Sequence, residues 1–342
     1  MASNKAAWLT EAHGTSFKVD SAPLPNPGPD QVVVCNKAVA VNPVDWKMRD
    51  YGILIQNYPA VLGSDLAGIV HEVGSDVKNV RKGDRVTGHA GANLLNGKPE
   101  DAAFQLYSRC PAVTVAKIPD SLSFKDAAVL PLAISTVSMA LYLKEALALP
   151  YPSLSPKKSG KVILIWGGAS AIGTMAIQLA RASGVTVVTT ASKRNHTYCK
   201  DLGADAVIDY TASDAVDQVL SAINAEVGEF AGAFDAISGA TFDPVAEIVQ
   251  KAGGRKIIAT VNPPDSKPEG IEVKGVFGPD AGANQSEVGK AVWQDFVPAA
   301  LQNGSLKCLP EPQVVGQGLE SIYEGLVRSK QGVSATKLVI EL

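Results

Sequence analysis

The sequence predicts a two-domain α/β protein in which a smaller, partly barrel-shaped β domain is joined to a doubly wound parallel sheet of six strands. Three observations predict it. An unbroken apolar, β-branched run, Val162 to Ile165, passes at once into a glycine-rich turn and then into a helical pattern. Strands and helices alternate from there as far as Val276, whereas residues 1–124 carry short strands parted by turn signals.

Taken in order, QVVVCNKAVAV at Gln31, GIVHEVG at Gly68 and DRVTG at Asp84 read as strands, separated by turns such as PLPNPGPD and RKGD. Asp126 to Leu149 is an apolar helical stretch that suits a core or interdomain helix, with Thr136 able to face a cofactor. The proline-rich PYPSLSPKKSG connects it to Val162–Ile165, a strand buried on both faces. Ile172, Met175, Ala176 and Leu179 then fall at helical spacing, and Gly184 sits where a C-terminal cap belongs.

Five more strands follow: VTVVTT at Val185, AVI at Ala206, AFDAI around Phe234, KIIATV at Lys256 and IEVKGV at Ile271. Helices between them run from about Asn195 to Leu202, Ser213 to Glu226 and Pro244 to Lys251. A helix from Glu287 to Gln302 and the strand TKLVIEL return to the first domain. The expected domains are 1–124 with 283–342, and 125–282, and a cleft between two such domains is where ligands commonly bind.

Composition narrows the function. A chain of 342 residues with 46% hydrophobic and 19% charged residues has ample core for two domains. Its net charge of -3 and lack of a basic stripe argue against nucleic acid. MASNKAAWLTEAHG lacks the apolar centre of a signal peptide, and no run reaches the roughly 18 apolar residues of a membrane span, so a soluble, cytoplasmic protein is expected. Cys35, Cys110, Cys199 and Cys308 form no C-x-x-C pair, which suggests neither a structural metal site nor a disulfide framework.

The turn after Ile165 fits G-x-G-x-x-G imperfectly, with Gly168 in the first place, Ser170 in the second and Gly173 in the third. Small residues there let backbone approach a pyrophosphate at the positive end of a helix. The end of the second strand distinguishes the two nicotinamide cofactors, because an acid there bonds the ribose 2′-hydroxyl of NAD. This chain has Thr190-Ala191-Ser192-Lys193-Arg194 instead, two cations and hydroxyls that suit a 2′-phosphate and so NADPH. The other reading of Lys193 and Arg194 is a solvated helix start. Ser238, Gly239 and Ala259 to Val261 lie at the carboxyl ends of later strands, where the crevice is expected.

With these motifs in order along essentially the whole chain, the sequence resembles the medium-chain dehydrogenase/reductase superfamily. The residues that carry the resemblance are NPVDWKMRDYG at Asn42, LGSDLAGIVHEVGSDV at Leu62, KGDRV at Lys82, AAVLPLAISTVSMAL and IWGGASAIGTMAIQLARASG. It is most similar to the zinc-free quinone oxidoreductase and fungal trans-enoyl reductase branch. That resemblance implies a GroES-like domain beside a Rossmann domain, and NADPH-dependent reduction of activated carbon–carbon double bonds, of a polyketide or other secondary-metabolite intermediate, free or carrier-bound. It also implies that Ala171 and Ile172, with Ser170, present backbone to the pyrophosphate, that Ser192, Lys193 and Tyr210 contact the 2′-phosphate, and that Asn42 and Asp45 shape the site floor. Lys47, Arg49 and Tyr51 are candidate oxygen or proton partners, Tyr51 at a spacing that differs from the family's tyrosine. In the zinc alcohol dehydrogenases a cysteine stands where this chain has Asn42, a G-H-E segment where it has Gly63-Ser64-Asp65, and the third ligand near Leu132, so no catalytic zinc is expected. Monomer and homodimer remain open.

Hydride transfer to an enone or enoyl thioester needs an oriented acceptor, a donor for the developing enolate oxygen and a proton source, none of which requires zinc. His71 and His89 read as packed residues. A quinone or carbonyl reductase, or a non-catalytic NADPH-binding protein, would share the same fold. A serine hydrolase built on Ser170 would need a histidine after a later acid, and the last histidine is His196.

Overall fold

A computed structural model of the chain describes residues 2–91, 93–265 and 267–342. The chain divides into two compact units, Met1–Ser135 with Pro279–Leu342, and Thr136–Gly278.

The first unit opens with β1 (Asn4–Leu9), β2 (Lys18–Ala22) and β3 (Gln31–Ala40), followed by helix α1 (Pro43–Tyr51). Next come β4 (Ala60–Val61), β5 (Asp65–Val73), β6 (Arg85–His89), β7 (Tyr107–Pro111) and β8 (Val115–Lys117), and then α2 (Pro131–Tyr142), which runs on into the second unit. β3, the longest strand at ten residues, is the spine. It alternates Val, Ala and polar residues so that most of its side chains are buried, and two register shifts against β5 bend the pair.

In the second unit β9 (Lys161–Trp166), α3 (Ala171–Ala182), β10 (Thr186–Thr190), α4 (His196–Asp201) and β11 (Ala206–Ile208) form the first half. α5 (Ala215–Ala225), β12 (Glu229–Asp235), α6 (Phe242–Lys251), β13 (Ile257–Thr260) and β14 (Glu272–Gly275) form the second. All six strands are parallel, in the order β11-β10-β9-β12-β13-β14. The order reverses beside β9, whose carboxyl end is therefore the switch point of a doubly wound sheet. Leu164, Trp166, Val188, Phe230, Val245, Ile248 and Ile258 are buried between sheet and helices on one face.

The chain then returns to the first unit with β15 (Glu311–Gln317), α7 (Ile322–Gln331) and β16 (Thr336–Glu341). These complete a seven-stranded sheet, β15-β16-β3-β5-β6-β8 with β7 on β3, beside a three-stranded sheet β2-β1-β4. The stretch Glu287 to Gln302 is not one regular helix. Lys290–Phe296 is wound as a wider π-helix ahead of Pro298, whose missing N–H cannot continue the ordinary ladder.

The unit boundaries fall later in the chain at one end and earlier at the other than the sequence suggested. The helical turn Phe124–Ala127 packs on β3, β5, β6, β15 and β16, and the Thr87 hydroxyl donates to Ala127 O at 2.9 Å, so the first unit extends to Ser135. Phe124–Tyr142 is long and apolar enough to cross a membrane, but 78% of it is buried inside the protein, as in a core helix.

Candidate active site

The second unit carries the glycine turn. Gly167, with φ +88°, turns the chain out of β9, and its N–H donates to Thr190 Oγ1 at 3.1 Å. Gly168 N–H donates to Thr190 O at 2.8 Å, locking the turn to the end of β10. Ser170 is the N-cap of α3: its Oγ accepts from Gly173 N–H at 2.9 Å and donates to Gly167 O at 2.8 Å. A Cβ on Gly173 would lie 2.1 Å from Gly167 O, so only glycine allows helix and strand this close.

These bonds bear on which backbone groups were expected to meet a pyrophosphate. The Ser170 N–H donates to Gly167 O at 3.0 Å and is occupied within the turn. The Ala171 and Ile172 N–H groups, in the first turn of α3, have no acceptor among the described residues and point the positive helix end outward. Gly167, which sequence reading passed over in favour of Gly168, supplies the left-handed turn. The GG pair was the available signal, and only the backbone angle tells the two apart.

At the end of β10, half-buried Ser192 precedes the short turn Lys193–Asn195 and accepts from Asn195 Nδ2 at 3.2 Å. Lys193 and Arg194 are exposed and form no ion pair among the described residues. Nearby Asp209, an acid that the sequence reading did not weigh, has its carboxyl held below the usual range by bonds from Thr211 and, more weakly, by the charges of His196 and Lys193. Tyr210, next in the chain, is 49% exposed.

Later strand ends hold a strained residue. Ser238 has φ +68° and ψ -179°, a conformation that favours glycine. Buried Asp235 holds it there, accepting from the N–H groups of Ile237 and Ser238 at 3.1 and 2.9 Å and from the Thr241 hydroxyl at 2.9 Å. The Ser238 hydroxyl is engaged with Thr260 and with Asn262 N–H. Half-buried Val261 follows β13 in a bend, and Thr136 is buried in α2.

The first unit holds a buried polar cluster at the start of α1. The segment that follows Asn42 is a helix, with Pro43 at its first turn and Gly52, φ +67°, closing it. The Asp45 carboxylate accepts from the Asn42 N–H at 2.7 Å, capping the helix, and the Asn42 side chain is buried. There Asn42 Nδ2 donates to Asp65 Oδ2 at 2.9 Å, and the Lys337 ammonium, from β16, donates to Asn42 Oδ1. Lys337 also pairs with Asp65 at 2.8 Å, both side chains being almost fully buried, and Leu132 N–H donates to Asp65 Oδ1 at 2.6 Å.

Two members have unmatched atoms. Asp45 Oδ1 and His89 Nε2 are buried with no hydrogen-bond partner among the described residues. Burial, reinforced by the charge of Asp65, pushes the Asp45 carboxyl up to about 7, despite the bond from Asn42 N–H. Burial likewise pushes His89 down to about 4, so its ring is neutral.

Of the residues picked from sequence, Asn42 and Asp45 therefore come together. Lys47 and Tyr51 do not join them: Lys47 lies over the Trp46 ring at 5.8 Å, and Tyr51, 60% exposed at the end of α1, stands edge-on to the same ring. Arg49 is buried, paired with Asp50 and stacked on Tyr323. Sequence reading missed Lys337, which lies 295 residues from Asn42, and read His89 correctly as packed.

Comparison with known proteins matches this architecture. Residues 28–120 match the alcohol dehydrogenase GroES-like domain, and residues 171–297 match the zinc-binding dehydrogenase family. The chain is 44% identical to dehydrogenase orsE of Emericella nidulans, with 100% of each chain covered. It is 42% identical to trans-enoyl reductase himH of Aspergillus japonicus, over 99% of this chain and 97% of that protein. Among solved structures, the quinone oxidoreductase from Coxiella burnetii superposes with a TM-score of 0.71 at 27% identity, covering 100% of both chains.

Proposed function

The chain belongs to the medium-chain dehydrogenase/reductase family, in its enoyl reductase branch, and from that premise we propose that it reduces activated carbon–carbon double bonds with NADPH. The observation that carries the reading is the buried cluster at the start of α1, joined to chain-long similarity to a trans-enoyl reductase. The substrate is an enone or enoyl thioester, free or carrier-bound, met in the cytoplasm.

The cluster supports chemistry without zinc. A tetrahedral zinc needs Cys, His or carboxylate donors. Here the place is taken by a carboxamide, one carboxylate already bonded three times and an ammonium whose charge would repel a metal ion. Among the described residues, no three His, Cys, Asp or Glu side chains are grouped to hold a metal. The residues do not fit zinc.

They do fit NADPH. The Ala171 and Ile172 N–H groups and the tight Gly167–Gly173 turn suit a pyrophosphate, and Ser192, Lys193, Arg194 and Tyr210 would meet the 2′-phosphate, with no acid among Thr190–Arg194. Thr136, Ser238 and Val261 would line the remainder of the cofactor site. When bound, NADPH supplies a hydride to the β-carbon of the acceptor. The chain then has to hold the negative charge that arrives at the acceptor's carbonyl oxygen, and the Asn42 N–H not bonded to Asp65 is a donor for it. Lys47, midway along α1, and Tyr51, exposed at its end, stand outside this cluster and are the chain's candidates to return a proton to the α-carbon.

Similarity to a quinone oxidoreductase favours a second reading, reduction of quinones or other small electrophiles. Purified protein is to be given NADPH or NADH with enones, enoyl thioesters, quinones and aldehydes, before and after chelator treatment. The proposal predicts NADPH-dependent turnover of the enone and enoyl acceptors that survives chelation. Turnover of quinones or aldehydes alone, or loss on chelation with rescue by zinc, would overturn it.

A further inference from the structure

We propose that Lys337 is a positioning residue for the reductase site, fixing the Asn42 amide and cancelling the charge of Asp65 so that Asn42 can donate to an enolate oxygen. The inference rests on the enoyl reductase reading for the identity of that oxygen, and on geometry for the rest.

An ammonium can only donate hydrogen bonds, so the Asn42 atom that faces it must be the carbonyl oxygen. The amide nitrogen is thereby turned to Asp65, which takes one of its two N–H bonds. The second N–H has no partner among the described residues. Without the ammonium the amide could rotate by half a turn and present oxygen where a donor is needed. The bond from Lys337 to the amide oxygen also polarises the group and strengthens its remaining N–H as a donor.

Charge makes the second argument. Asp65 is fully buried and lies 2.9 Å from Asn42 Nδ2. Alone, that carboxylate would oppose any negative charge building up on an acceptor held by Asn42. Lys337, buried and 2.8 Å away, neutralises it. The ammonium is delivered by β16, which pairs with β3 and places Lys337 beside the residues that follow β3. The two strands are far apart in sequence, and their pairing builds the site.

The test compares wild type with Lys337→Met and with the double variant Lys337→Met/Asp65→Asn, which removes both charges and relieves the buried unpaired carboxylate. Thermal stability, NADPH affinity and steady-state kinetics are measured on each. The proposal predicts that Lys337→Met lowers kcat about a hundredfold, as expected for loss of an oxyanion donor, with acceptor KM and NADPH affinity little changed. It predicts that the double variant regains stability but stays at least about tenfold below wild type in kcat, because the amide is no longer fixed. A stable double variant with wild-type kcat would show that Lys337 only supports the fold, and would overturn the proposal.

A second readout needs no acceptor. With 15N-asparagine, the side-chain amide signals of Asn42, assigned through Asn42→Ser, are expected to move on Lys337→Met in the NADPH complex. Unchanged signals would overturn the proposal. If wild type reduces no enoyl acceptor while these signals do move, the enoyl reading fails and the positioning role stands.

Discussion

Replacing Gly173 by alanine tests the cofactor turn through a single methyl group. The added Cβ would stand 2.1 Å from Gly167 O, 2.7 Å from Gly168 Cα and 2.8 Å from Gly167 C, all backbone atoms that cannot swing aside. Ordinary contact requires well over 3 Å, so the start of α3 must withdraw from the end of β9 by roughly 1 Å. Overpacking of this kind costs about 1–3 kcal/mol, and alanine's better helix propensity offsets at most about 1 kcal/mol of it. Because the same movement displaces the Ala171 and Ile172 N–H groups from the turn, NADPH affinity should fall about tenfold or more, a loss of about 1.4 kcal/mol. Gly253→Ala is the control, at a position with ordinary φ and nothing within 4 Å of the added atom. Thermal melting and NADPH fluorescence titration read both effects. If Gly173→Ala binds NADPH within a factor of about two of the Gly253→Ala control and melts with it, the close-approach argument is wrong.

Two further outcomes follow from the site. Lys193→Ala should weaken NADPH binding much more than NADH binding, since the exposed ammonium has no ion-pair partner among the described residues to lose; equal weakening of the two cofactors would remove Lys193 from the phosphate site. Asp45 and His89 oppose each other in acid. The folded carboxyl is raised from 3.8 to about 7, so its contribution to stability is lost as pH rises through that range, whereas the folded ring is lowered from 6.5 to about 4, so its contribution is lost as pH falls. Asp45→Asn keeps an oxygen for the Asn42 N–H and removes the first effect. Denaturant titrations should show the variant gaining stability relative to wild type from pH 4.5 to pH 8, by at most on the order of 4 kcal/mol; parallel curves would refute the assignment.

The doubly wound sheet was legible because parallel strands buried on both faces leave β-branched, largely apolar runs such as VILI and VTVV, each followed by a helix. The first unit hides its strands better. β4 has two residues, and β15, EPQVVGQ, is a largely exposed strand at the end of its sheet with Pro and Gly in it, so neither alternation nor apolar content marks them. α1 lacks an apolar stripe, and its signals were those of its ends: Asn42, Pro43, Asp45 and Gly52.

The site divided in the same way. Asn42 and Asp45 could be chosen because they are neighbours in sequence, and the Gly168–Gly173 turn because its residues are contiguous. Lys337 could not, since only the pairing of β16 with β3 brings it to Asn42. A lysine in TKLVIEL otherwise reads as a residue on the solvent side of a terminal strand. The bond inside the turn that occupies the Ser170 N–H was equally invisible, because a pattern of small residues does not say which backbone groups remain free.

The most direct test of double-bond reduction is to follow the label from NADPH deuterated at the transferable position of the nicotinamide into an α,β-unsaturated thioester. The account predicts a saturated thioester carrying one deuterium at the β-carbon, with the α-hydrogen taken from water. Deuterium on the former carbonyl carbon, with the double bond intact, would contradict it and identify a carbonyl reductase.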